Sequence, residues 1–197
     1  MRFVFTLFVS ALTLFAGPLS GRRAPSFTLP DLNVNYHDLY DYRGKIVMLD
    51  IIQTTCPVCQ TSQKIFETIR LKHGGKVAVI NIVTQPDTQD TVRMFISQFA
   101  VKTPVLFDCG QAIASFLKLT PKNPQISLPH LFLIDGSGMI RNDYDYTTFP
   151  DVFEKLDPLM NEVTGLVNEM TGARNAPAPK APAGPTKPPA PAAPKKQ

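Results

Sequence analysis

Between residues 22 and 172, short and nearly continuous apolar runs alternate with longer stretches in which apolar residues recur every three or four positions. Residues 45–52 (KIVMLDII) and 76–84 (KVAVINIVT) have the first pattern, which predicts strands buried on both faces. Residues 59–71 put Ile65, Phe66 and Ile69 on one helical face, and residues 88–100 do the same with Val92, Phe95, Ile96 and Phe99. A short strand over 104–107 leads to a helix over 109–119, whose free amides Asp108 is placed to cap. The strand over 130–135 (HLFLID) runs into Asp135-Gly136-Ser137-Gly138, a hairpin turn, and 139–145 returns as its partner. From Phe149 onward, Val152, Phe153, Leu156, Met160, Val163, Val167 and Met170 mark a long amphipathic helix with a kink expected at Pro158. This order predicts an α/β domain with a central mixed sheet flanked by helices, and with residues 25–44 as an N-terminal hairpin extension.

Both ends depart from the pattern. Met1-Arg2, the apolar run 3–16 and then Gly17-Pro18-Leu19-Ser20-Gly21 follow the order of a secretory signal, so residues 1–21 are expected to act as a signal peptide or N-terminal anchor. The apolar run is shorter than the ~20 residues of a membrane span, which favours cleavage. No cysteine stands near Gly21 to carry a lipid. At the other end, residues 176–197 are almost entirely Pro, Ala and Lys, and 173–197 is expected to be a disordered tail. Lys180, Lys187, Lys195 and Lys196 equal the whole formal net charge of +4, so the rest of the chain is close to neutral. Without a basic stripe interleaved with aromatics, nucleic acid is not an expected partner. The basic tail or the N-terminal segment is free to associate with a membrane or cell wall, or the tail is a solvated spacer. The expected location is extracytoplasmic: the bacterial periplasm, secreted or N-terminally membrane-anchored.

Chemistry concentrates in the cysteines, of which there are three: Cys56, Cys59 and Cys109. An odd number in an exported chain leaves at least one thiol unpaired or paired elsewhere. Cys56-Pro57-Val58-Cys59 stands where a buried strand ends and a helix begins. Amides at a helix N-terminus stabilise a thiolate, so Cys56 is the expected attacking sulfur, and Cys59, one turn on, is positioned to resolve the mixed disulfide. Two other readings of the pair are a stapling disulfide and half of a zinc site. The zinc site lacks a second ligand pair, since His37, His73 and His130 are scattered. No metal and no cofactor is called for.

These residues resemble the thioredoxin superfamily, and within it the exported TlpA/ResA-like and redoxin group. The resemblance spans about residues 24–170 and rests on several features together. They are Ala24, Pro25, Phe27 and Leu29, then Gly44-Lys45, Cys56 and Cys59, the Leu128-Pro129 step, and Leu133-Ile134-Asp135 before the glycine turn. It implies a thiol-disulfide oxidoreductase whose partners are protein thiols or disulfides and an upstream redox donor. It further implies that Pro129 is a cis-proline beside the disulfide, with the Leu128 backbone pairing an extended substrate segment. Asp50 matches a buried acid behind the second cysteine, where it would take a proton from Cys59. The alternative for Asp50 is an exposed or merely hydrogen-bonded carboxylate.

Two departures stand out. Relatives usually carry Trp just before the first cysteine; here Thr54-Thr55 occupies that stretch and the chain has no tryptophan. Pro57-Val58 sets no redox direction, although a reductant is the preferred reading. Cys109 is expected at a helix start on the same sheet edge as Cys56, two strand spacings or about 10 Å away at the backbone, as either a third redox thiol or a packed free one. The rival enzyme is a peroxiredoxin-like peroxidase, which needs Thr three residues before its cysteine where this chain has Gln53. The rival without catalysis is a copper carrier or scaffold.

Overall fold

The computed structural model describes residues 17–172. The greater part of the expected leader, residues 1–16, and the tail, 173–197, lie outside the described residues. The small hairpin is β1 (Thr28–Pro30) and β2 (Tyr36–Asp38), and the main strands are β3 (Ile46–Ile52), β4 (Val77–Val83), β5 (Val105–Phe107), β6 (His130–Ile134) and β7 (Ile140–Asp145). The helices are α1 (Pro57–His73), α2 (Gln89–Gln98), α3 (Gln111–Leu117), α4 (Pro150–Glu154) and α5 (Leu156–Met170). The five main strands lie in the order β5-β4-β3-β6-β7, with β3, β4 and β5 parallel and β6 and β7 antiparallel to their neighbours. This is a thioredoxin fold.

Alternation along β3 divides the core. Ile46 and Met48 face α1 and α5, where Phe66, Ile69, Leu159 and Val163 cover them. Val47, Leu49 and Ile51 face the other way, onto Phe116 and Ile113 of α3 and Phe27 of the N-terminal extension. A third cluster, at the C-terminal end of the parallel strands, joins Ile52 and Val83 to Val92 and Phe95 of α2 and to Cys59. The same alternation sends Asp50 to the α1 side, beneath the first turns of that helix.

Three boundaries differ from the sequence expectation. The cysteine helix starts at Pro57, a position that needs no amide donor. The third helix starts at Gln111 rather than Cys109, because Gly110 (φ 105°) takes a left-handed conformation that only glycine adopts freely. The closing helix is not kinked at Pro158. It is split at Lys155, whose backbone is extended (φ −120°, ψ 137°), and Pro158 falls in the first turn of α5, where its missing N–H costs nothing.

Residues 17–21, which the sequence pattern groups with the leader, pack against the body. The stretch they open runs beside β7, with the Gly21 amide on the Ile140 carbonyl (2.9 Å), the Ile140 amide on the Arg22 carbonyl (2.8 Å) and the Leu19 amide on Asp143 Oδ1 (2.9 Å). Gly17 is buried so closely that an added Cβ would stand 2.2 Å from the Asp143 carbonyl oxygen.

Candidate active site

The site is assembled where β3 gives way to α1. Cys56 is the N-cap residue of α1, with an extended backbone (φ −77°, ψ 117°), and its sulfur accepts the Cys59 amide at 3.2 Å. A side-chain cap normally satisfies one of the four orphan amides of a helix start with oxygen; here sulfur does so. The helix therefore directs a backbone donor at the Cys56 sulfur. Cys56 is half-buried and Cys59 fully buried, and both are free thiols.

Beneath Cys59 lies Asp50, completely buried, with neither carboxylate oxygen hydrogen-bonded. Burial pushes the Asp50 carboxyl well above its ordinary range. Burial likewise raises the Cys59 thiol, and the Asp50 charge and the Cys56 side chain add to the effect. The buried alternative for Asp50 is thus the observed one. Burial thus favours the neutral, protonated form of both groups, and raises the basicity of the Asp50 carboxylate whenever it is ionised.

The Leu128-Pro129 peptide bond is cis, and Leu128 packs in the cluster that contains Cys59, with Cys56 against the same cluster. A second cis bond, Gln85-Pro86, has no counterpart in the sequence expectations. Cys109 is exposed in the loop between β5 and α3, with β4 between its strand and that of Cys56. Asp108 caps the helix as the sequence predicts: its Oδ1 accepts from Ala112 (3.2 Å) and its Oδ2 from Ile113 (2.8 Å), so these amides are not offered to Cys109.

Sequence reasoning missed the residues that hold the cysteine loop. Thr54 donates its amide to Asp87 Oδ2 at 3.0 Å and its hydroxyl to Asp87 Oδ1, while Gln60 Nε2 donates to the Thr54 carbonyl at 2.7 Å. Asp87 also accepts from Thr91 Oγ1 at 3.1 Å. The loop before Cys56 is thereby fastened both to the β4–α2 connection and to α1. A further network, Gln63 Nε2 to Asn81 Oδ1 (3.1 Å) and to the Cys59 carbonyl (3.3 Å), ties α1 to β4 beside Asp50. Only the buried polar residue Asn81 within an apolar strand was available in the sequence as a signal for it. His130 faces the opposite side of the sheet, stacked on Phe132, with Nε2 3.6 Å from Asp143 Oδ2. Among the described residues no group of three or more His, Cys, Asp or Glu side chains is placed to hold a metal.

Residues 20–143 match the model of the AhpC/TSA family. The chain belongs to that family. Among curated relatives, it is 31% identical over 120 residues to the thiol-disulfide oxidoreductase ResA of Bacillus thuringiensis (strain Al Hakam), covering 61% of this chain and 66% of that protein. The match thus spans just under two thirds of that relative's own length. It is 26% identical to the thioredoxin-like protein YneN of Bacillus subtilis (strain 168), over 72% of this chain and 81% of the relative. Among solved structures, a thiol:disulfide interchange protein from Bacteroides sp. superposes with a TM-score of 0.62 at 19% identity, covering 79% of this chain and 95% of that one. A secreted Mycobacterium tuberculosis disulfide oxidoreductase gives a TM-score of 0.58 at 19% identity over 71% of this chain and 96% of that one. These structural likenesses establish the fold, and the family assignment agrees with the redoxin resemblance of the sequence. No helix among the described residues is long and apolar enough to cross a membrane.

Proposed function

We propose that this AhpC/TSA family member is an extracytoplasmic thiol-disulfide oxidoreductase that exchanges disulfides with protein partners through Cys56 and Cys59. The observation that carries the reading is the pairing of a helix-capping sulfur at Cys56 with a buried, proton-holding Cys59 and Asp50 behind it. A structural staple has no use for an unpaired buried carboxylate, which destabilises the fold.

In the reducing direction, the Cys56 thiolate attacks one sulfur of a client disulfide. The client S–S bond breaks as the Cys56–client bond forms, and the departing client sulfur takes up a proton. Cys59 then gives its proton to Asp50 in its ionised form, whose basicity burial raises, and attacks the Cys56 sulfur, releasing the second client thiolate and leaving a Cys56–Cys59 disulfide. Two electrons have passed to the client, and an upstream donor restores the dithiol. Leu128 and Pro129 line the approach to Cys56, where an extended client segment would pair with the Leu128 backbone. The signal-like N-terminal sequence supports export, and the ResA relatives support action on protein clients.

Purified Cys59→Ser protein tests this reading, since it should retain clients on Cys56 as mixed disulfides that thiol reagents release. Recovery of no disulfide-linked partner, with a Cys56–Cys59 potential as low as an ordinary structural disulfide, would return the motif to a staple. Rapid peroxide consumption dependent on Cys56 would instead favour the peroxidase reading.

A further inference from the structure

The cysteine loop contributes no aromatic side chain to the client site: Thr54 is buried with its hydroxyl committed to Asp87, and Thr55, exposed directly before Cys56, is small and not aromatic. An aromatic residue tied to the cis-proline step comes from the loop after β7. Tyr146 donates its amide to the Pro129 carbonyl at 3.2 Å, which fixes its backbone to the cis-proline step. Its ring packs edge-on against Phe153, 6.2 Å between centroids, in the same cluster as Val58 of the cysteine motif. The Tyr146 hydroxyl donates to Glu154 Oε1 at 2.6 Å, and this bond, more than desolvation or the charges of Glu154 and Cys56, raises the phenol above its ordinary range.

Tyr146 is only half-buried and Glu154 is exposed. Among the described residues Glu154 faces no cation, whereas nearby Asp151 is paired with Lys155 (2.9 Å) and Asp145 caps the Thr148 amide (3.0 Å). A π-face beside an unneutralised carboxylate recognises one chemistry, a cation on an apolar stem.

We propose that Tyr146 and Glu154 form a specificity wall beside Cys56 that selects client segments carrying Lys or Arg next to the reactive cysteine. The stem of the client residue lies along the Tyr146 ring and its charged head reaches Glu154, which in turn fixes the ring by holding its hydroxyl. The proposal rests on the thiol-disulfide exchange reading above and supplies what that reading leaves open, the chemistry of the client.

The test uses two disulfide-linked peptides, identical except for Lys or Ala beside each cysteine, reduced by the pre-reduced full-length protein under single-turnover conditions. The Lys peptide should react about fivefold faster at low ionic strength, and the advantage should shrink in high salt, as expected of a partly exposed cation–π and ion-pair contact. In Glu154→Gln, a surface change that spares the core, the Lys-to-Ala rate ratio should fall to below about twofold; Tyr146→Ala should do the same. Equal rates for the two peptides with the wild-type protein, or an unchanged ratio in Glu154→Gln, would overturn the specificity wall while leaving the exchange reading intact. Failure of the wild-type protein to reduce either peptide, or the neutral probe 2,2′-dithiodipyridine, would overturn the exchange reading itself.

Discussion

Cys56 and Cys109 occupy the same place in the architecture: each follows a parallel strand at the same sheet edge and precedes a helix that packs on the core. They differ in who receives the helix amides. At α1 the cysteine is itself the cap, Pro57 continues directly into the helix, and the Cys59 amide points at sulfur. At α3 the left-handed Gly110 intervenes and the carboxylate of Asp108 accepts the amides of Ala112 and Ile113. The loops differ as well, since Asp87 and Gln60 clamp the approach to Cys56. A strand-to-helix junction therefore does not by itself bring helix amides to a sulfur. The amides must be left for the sulfur, because a carboxylate outcompetes it for the same donors and adds a like charge.

The comparison can be broken most severely at the cysteines. Cys56→Ser should lower the rate of disulfide exchange by at least about a thousandfold, whereas Cys109→Ser should stay within about twofold, as followed by insulin or glutathione-disulfide reduction. A large loss in Cys109→Ser would restore the third redox thiol and end the contrast.

Next in size is Asp50→Asn. Removing the proton acceptor should slow the resolving step by about a hundredfold, read as accumulation of the Cys56 mixed disulfide in stopped-flow experiments. The same variant should be more stable than the wild type by about 1–3 kcal/mol at pH 8 in urea titrations, because an unpaired buried carboxylate is removed. The sign follows from the direction of the shift. Burial raises the carboxyl above its ordinary 3.8, so the unfolded chain ionises first. Wild-type stability therefore falls as pH rises past about 4 until Asp50 itself ionises, and Asp50→Asn should lose that decline. An unchanged pH profile would show that Asp50 is solvated.

Asp87→Ala sharpens the comparison at the loop. Losing its acceptors for the Thr54 amide and hydroxyl should destabilise the fold by about 2 kcal/mol and slow exchange through a misplaced Cys56, with partial recovery in Asp87→Asn. The smallest expected effect is at the other junction, where Gly110→Ala should cost about 1 kcal/mol for placing a side chain at positive φ, with little change in exchange rate.

Much of the frame was legible from local patterns. The apolar runs of β3 and β4, the periodicity of α1 and α2 and the glycine turn between β6 and β7 fixed the α/β order, since burial on two faces leaves no room for polar residues at regular intervals. The resemblance offered Asp50 as a buried acid and identified the cis-proline step. Helix boundaries were less legible. Gly110 and Lys155 mark breaks through backbone conformation, which hydrophobic period does not register. Asp87 and Tyr146 were not found at all, because each acts on a partner 33 or 17 residues away, Thr54 through a side-chain hydrogen bond and Pro129 through its carbonyl.

The sequence alone determined the secondary elements and the position of the Cys56–Cys59 pair at a helix start, because these depend on residue type and short-range spacing. Position before a helix marked Asp108 as a cap and the resemblance offered Asp50 as a buried acid, but only the tertiary structure decided that Asp50 is buried without a partner and that Asp87 matters at all. Asp50, Asp87 and Asp108 are the same side chain. Burial without partners makes the first a proton holder, hydrogen bonds across two loops make the second a clamp, and two helix amides make the third a cap that leaves Cys109 outside the helix. Charge desolvation and long-range hydrogen bonding are set by what the folded chain packs around a group, and no local reading of the residues contains that information.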